Sequence, residues 1–148
     1  MSLVIEHVTN RVGKLLWTAK VHTSGGRENG AAKSSDGQLD IKLSLPGSKR
    51  PGTNPEQLLA AGWSACFEGA IAATVKKMRL TLPADPVIDA EVDLSLGEAD
   101  GYFLRARLNI SLPGLDRETA EKLVRGAGEI CPYSKALGNS IDVSYNLI

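Results

Sequence analysis

Residues 53–67 read Thr53-Asn54-Pro55-Glu56-Gln57-Leu58-Leu59-Ala60-Ala61-Gly62-Trp63-Ser64-Ala65-Cys66-Phe67. Asn54 suits a helix N-cap, Pro55 the first helical position, and Glu56 the positive end of the helix dipole. The segment runs on to about Arg79, and between Gln57 and Lys76 Glu68 is its only charge. It is apolar on nearly every face, so a long helix buried nearly all round is expected. It is also built of small residues, including Ala60, Ala61, Ala65, Gly69 and Ala73. Small side chains let another helix approach closely. In a chain of 148 residues the natural partner is the same helix of a second copy.

Outward from this helix the periodicity changes from helical to alternating. Leu15, Trp17, Ala19 and Val21 alternate with polar or outward positions up to His22. Leu39 to Leu45, Ile88 to Leu96, Tyr102 to Leu112 and Ile141 to Leu147 do the same. A weaker strand is read over Leu3 to Val8. Period-two patterning with one polar face means sheets covered on one side, which favours antiparallel pairing. Asp100-Gly101 marks a hairpin turn between the two long strands. A second helix is expected from near Asp116, with Ala120, Leu123, Val124, Ala127 and Ile130 inward. It should end at or before Cys131, because Pro132 disfavours a helical residue in front of it. Ser24 to Gly37 and Pro46 to Gly52 are read as irregular. The order of strands, helix, strands, helix and strand predicts a single α+β domain over residues 1–148.

Composition narrows the function. The chain carries 17 basic and 17 acidic residues and no formal net charge. That argues against an electrostatic grip on nucleic acid and against a patch for anionic membranes. Met1 to Gly13 has the pattern of neither a signal peptide nor a membrane span. Two cysteines in such a chain read as reduced thiols, and a cytoplasmic location is expected. With two Cys and two His in unconnected places, no four-ligand metal site is expected.

Cys66 and Cys131 are the only sulfur nucleophiles, and thiol redox chemistry needs two sulfurs that can meet. Cys66 reads equally as a small buried hydrophobe and as a reactive thiol. The second reading demands a nearby cation, since burial alone raises a thiol pKa. No basic residue lies within nine positions of it on either side. Arg27, after Gly25 and Gly26, is the best candidate, and Glu56 could hold its guanidinium in a bidentate pair. Glu56 lies ten residues before Cys66, about 15 Å along a straight helix. One Arg27 serving both therefore requires a break, expected between Ala60 and Trp63 with Gly62 as its seat. Cys131 falls at a helix C-terminus, where the dipole disfavours a thiolate. This suits a resolving thiol better than an attacking one, and a helix-capping apolar residue is the alternative.

Taken together, Gly25-Gly26-Arg27, Ser34-Ser35-Asp36-Gly37 before Leu39-Asp40-Ile41-Lys42-Leu43, Gly52-Thr53-Asn54-Pro55-Glu56-Gln57-Leu58 through Ala65-Cys66-Phe67, and Cys131-Pro132-Tyr133-Ser134 before Ile141-Asp142-Val143 form one pattern. It resembles the organic hydroperoxide resistance proteins of the OsmC/Ohr superfamily over nearly the whole chain. Gly25-Gly26-Arg27 and Gln57 favour that branch over the osmotically induced OsmC branch.

The resemblance implies an intertwined homodimer with antiparallel sheets around a buried central helix and active sites at the subunit interface. It implies that Cys66 is the peroxidatic cysteine, that Arg27 stabilises its thiolate and that Glu56 orients Arg27. Cys131 would then attack the Cys66 sulfenic acid and close a Cys66–Cys131 disulfide. No bound cofactor is implied; the reductant would be a dithiol such as a protein-bound lipoyl group. Two departures stand out: a short Pro46 to Gly52 connection, which could alter pocket access, and extra residues before Leu16-Trp17-Thr18-Ala19. A function of another class, a non-catalytic dimer that binds an apolar ligand with inert cysteines, would be distinguished by an unreactive Cys66.

Overall fold

A computed structural model describes residues 4–148. Its elements are β1 (Val21–Ser24), a helical turn α1 (Gly26–Asn29), β2 (Ala31–Ser34), β3 (Asp40–Lys42), the long α2 (Pro55–Lys77), β4 (Val87–Gly97), β5 (Gly101–Ser111), α3 (Arg117–Ile130), α4 (Pro132–Leu137) and β6 (Asp142–Leu147). They form two three-stranded sheets, β1-β2-β3 and β4-β5-β6, with α2 at the centre of the α+β domain.

The local chemistry of α2 is as read. The Asn54 side chain accepts the Gln57 N–H at 2.9 Å, and Pro55 occupies the first turn. Lys76 and Lys77 sit at the negative end of the dipole. The helix stops at Lys77, two residues short of the expected end, and Arg79 reverses the chain at φ 56°. Its buried residues Trp63, Phe67, Ala70, Ile71 and Thr74 recur at helical spacing and pack on the sheet and on α3. Within one chain the opposite face is open: Ala61, Ala65, Gly69, Ala72 and Ala73 are exposed. Burial all round is therefore not met by a single chain. By length and composition α2 could also cross a membrane; here its large side chains close a protein core.

The β4–β5 hairpin turns at Gly97 and Gly101, and Gly101 takes φ 69°, which a side chain would resist. Ala106, Leu108 and Ile110 of β5 point into the core. Arg107 faces out and binds Asp93 through two bonds of 2.8 Å and Glu91 at 3.2 Å. The strand β6 joins β5 in parallel, contrary to the antiparallel expectation. Alternation reports that one face is covered and says nothing of strand direction. The crossover through α3 and α4 supplies the length that a parallel neighbour needs.

The N-terminal third departs most from expectation. No strand covers residues 4–8 or 15–20, and Leu3 lies outside the described residues. Leu15, Leu16 and Trp17 are 77%, 87% and 74% exposed. A strand exists only against a partner edge, and within one chain β1 finds one only from Val21 onward, against β2. The expected Leu39 to Leu45 strand is trimmed to Asp40–Lys42, with an isolated bridge from Leu43 to Thr53. The segment read as irregular contains α1 and β2.

Candidate active site

The two cysteines meet. Cys131 Sγ lies 3.6 Å from Cys66 Sγ across 65 positions of sequence, and both thiols are free. Cys66 projects from α2 and is half-buried. Cys131 is fully buried at the junction of α3 and α4. It ends α3, donating its N–H to Ala127 O at 2.9 Å, and opens α4, accepting the Lys135 N–H at 2.9 Å. Its backbone is extended (φ −62°, ψ 119°), as a residue before proline must be. Ile130, expected inward, is exposed; the buried position passes to Cys131, where the chain turns back.

The helix α4 was not foreseen, and it changes the electrostatic reading of Cys131. That residue stands at the start of one helix as well as at the end of another. The new helix also brings the Tyr133 backbone N–H to the Cys66 sulfur, which favours the thiolate. Burial acts the other way and is the larger influence, pushing the Cys66 thiol above its ordinary value, with Cys131 adding to the rise. Cys66 is thus a neutral thiol in a single chain.

The expected cation pair forms, but elsewhere on the helix. Arg27 Nη2 contacts both Glu56 carboxylate oxygens, at 2.8 and 3.1 Å. Gly25 and Gly26 set the turn that carries Arg27, with φ 83° and 75°. The expected break between Ala60 and Trp63 is absent: α2 is continuous from Pro55 to Lys77. Gly62 serves a different purpose. A Cβ there would come within 2.5 Å of the Tyr133 hydroxyl, so the glycine is the seat on which the tyrosine ring rests. With the helix unbroken, the one-chain bridge from Glu56 through Arg27 to Cys66 is not formed. The four candidate residues fall into two pairs, about 15 Å apart along α2.

The Arg27–Glu56 pair borders a cavity of about 820 Å³. Its other walls are mostly apolar: Leu45, Pro46, Ala90, Val92, Leu94 and Tyr102. Pro46 belongs to the short connection that sequence reading had tied to pocket access. Sequence reasoning missed Trp63 and Ser134 as partners. Trp63 donates its indole N–H to Ser134 Oγ at 2.9 Å, both residues being buried. The only sequence signal was that each lies three positions from a cysteine.

A profile of the family described as OsmC-like protein matches residues 45–146. The chain belongs to the OsmC/Ohr family. The organic hydroperoxide resistance protein of Xanthomonas axonopodis pv. citri is 45% identical over 139 residues, covering 90% of this chain and 96% of its own. OhrB of Bacillus subtilis is 43% identical over 136 residues, covering 89% and 98%. The crystal structure of OhrB superposes with a TM-score of 0.84 at 41% identity, over 90% of this chain and all of that one. In this OsmC/Ohr chain the arrangement can do thiol redox chemistry: two free sulfurs in contact, one reachable from solvent and one enclosed.

Proposed function

We propose that this protein is a thiol-dependent peroxidase that reduces organic hydroperoxides to alcohols. The observation that carries the reading is the 3.6 Å separation of two free cysteines, one half-exposed and one buried. The names of the relatives, organic hydroperoxide resistance proteins, support the substrate class. The Cys66 thiolate attacks the terminal oxygen of the hydroperoxide. The O–O bond breaks, the alkoxide takes a proton and leaves as alcohol, and Cys66 becomes a sulfenic acid. Cys131 then attacks that sulfur, the S–O bond breaks, and the hydroxide leaves as water with the Cys131 proton. The product is a Cys66–Cys131 disulfide, which an external dithiol of the lipoyl type returns to two thiols by exchange.

The thiolate needs a cation, and the straight helix denies it one from its own chain. A homodimer removes the difficulty. The open small-residue face of α2 begins at Ala61 and runs on to Ala73, and Ala61 lies midway between Glu56 and Cys66. Antiparallel packing of two such helices about a two-fold axis there brings the partner's Glu56 and the partner's Arg27 to the level of Cys66. The exposed Leu15, Leu16 and Trp17 are a further apolar surface that a second copy would cover. The apolar cavity beside Arg27 then faces the sulfur of the other subunit. Its aliphatic walls favour alkyl and fatty-acid hydroperoxides over hydrogen peroxide.

The test is stopped-flow oxidation of the reduced protein by a stoichiometric alkyl hydroperoxide, with hydrogen peroxide in parallel, followed by intact-mass analysis. A disulfide should form, faster with the alkyl substrate. Both thiols still free after treatment would refute the reading and favour a non-catalytic apolar-ligand dimer.

A further inference from the structure

We propose that Ser134 is a positioning residue for the resolving step, acting through Cys131; this rests on the peroxidase reading above. The helices α2 and α4 run side by side with no backbone-to-backbone hydrogen bond joining them among the described residues. Their register is set by side chains. Trp63 pairs with Ser134 through the 2.9 Å indole bond, and Cys66 pairs with Cys131 at 3.6 Å. Trp63 precedes Cys66 by three residues and Ser134 follows Cys131 by three, so the two pairs are successive rungs of one antiparallel ladder. A slip that lengthens the first rung also moves the second.

The Ser134 hydroxyl is doubly engaged. It accepts from Trp63 Nε1 and from the Tyr145 hydroxyl of β6, each at 2.9 Å. Tyr145 stacks on Phe67, one residue beyond Cys66, with ring centroids 5.3 Å apart. One serine oxygen thus ties together α2, α4 and β6 around the sulfurs. Trp63 is wholly enclosed and Ser134 is 6% exposed. Removing the oxygen leaves an indole N–H without its acceptor in the core, and α4 must shift or admit water to satisfy it. Among the described residues the Cys131 sulfur makes no other side-chain hydrogen bond, and its attack on the sulfenic acid depends on alignment with the S–O bond. Cys66 stands on the rigid α2 and meets α4 through the Tyr133 N–H, so a shift of α4 reaches its attack on peroxide less than it reaches the attack by Cys131.

The experiment is single-turnover oxidation of the full-length reduced protein by cumene hydroperoxide, resolving sulfenic-acid formation from disulfide closure. Intact mass then measures the fraction of Cys66 lost to sulfinic acid in excess peroxide. Ser134→Ala should slow closure by about tenfold and the first phase by much less. The sulfinic fraction should rise in step, and Ser134→Thr, which keeps the oxygen, should restore the partition. Closure at the wild-type rate in Ser134→Ala overturns the proposal. So does an equal slowing of both phases that Thr does not restore, which is the mark of general damage. If Ser134→Ala does not fold, Tyr145→Phe carries the test: closure about threefold slower with the first phase slowed less supports the clamp, and unchanged closure overturns it. Wild-type protein that forms no disulfide in the same run refutes the peroxidase reading itself.

Discussion

Arg27 and Cys66 should complement each other across subunits. In one chain their groups lie about 15 Å apart along the unbroken α2. A unit charge at that distance contributes about 0.3 kcal/mol in water and about 1 kcal/mol at an effective dielectric of 20. The Glu56 carboxylate, 2.8 Å from the guanidinium, cancels most of it. Arg27 therefore cannot activate the thiol of its own chain by more than a small factor. The perturbation is a mixture of two variants, Arg27→Ala and Cys66→Ser. Each homodimer lacks one essential group at both sites. In the mixed dimer, one site joins the intact cysteine of one chain to the intact arginine of the other. Random assortment makes half the dimers mixed, each with one working site, so activity should rise to about one quarter of wild type. The assay is peroxide consumption with a dithiol reductant after co-refolding, with native mass spectrometry to count mixed dimers. If mixed dimers form and activity stays at the level of Arg27→Ala alone, the reasoning is refuted.

Further outcomes follow from the same geometry. In Arg27→Ala, Cys66 should be alkylated with a pH midpoint above the free-thiol value of about 8.5, and wild type should lie below it, as pH-dependent iodoacetamide kinetics would reveal. The sign for stability agrees: burial raises this pKa, so the stability of the neutral thiol is present below the ordinary thiol range and lost as pH rises through the raised value. Ala61→Arg alters a position exposed in the single chain; it should leave the far-ultraviolet spectrum intact while sedimentation reports a monomer. Trp63→Ala empties a wholly enclosed site and should cost about 3–5 kcal/mol in urea unfolding, whereas Cys131→Ser should unfold normally yet accumulate Cys66 sulfenic and sulfinic acid.

Much of this was legible in the sequence because it is local. The cap at Asn54, the proline at the first turn, the alternation of β4 and β5 and the Asp100-Gly101 turn each depend on neighbours a few residues away. The Arg27–Glu56 pair was also legible, since only one arginine had the paired glycines that present it. Strand direction was not, because β6 looks the same whether it runs with β5 or against it. The short α4 was hidden by Pro132, which marks the end of one helix and equally the first turn of the next. The break assigned to Gly62 came from forcing four residues into one chain's site. A glycine tolerates a bend, but here it makes room for the Tyr133 ring.

The sequence by itself determined the long elements and named the candidate groups: a capped helix of small residues, two cysteines, one arginine and one glutamate. Propensity, capping and the chemistry of a sulfur are properties of short segments and single side chains. Only the tertiary structure decided which groups meet. It brought Cys131 to 3.6 Å from Cys66, held Arg27 against Glu56 one end away, and left one face of α2 open. Distances between residues 65 positions apart are fixed by packing and helix register, and no local pattern encodes them.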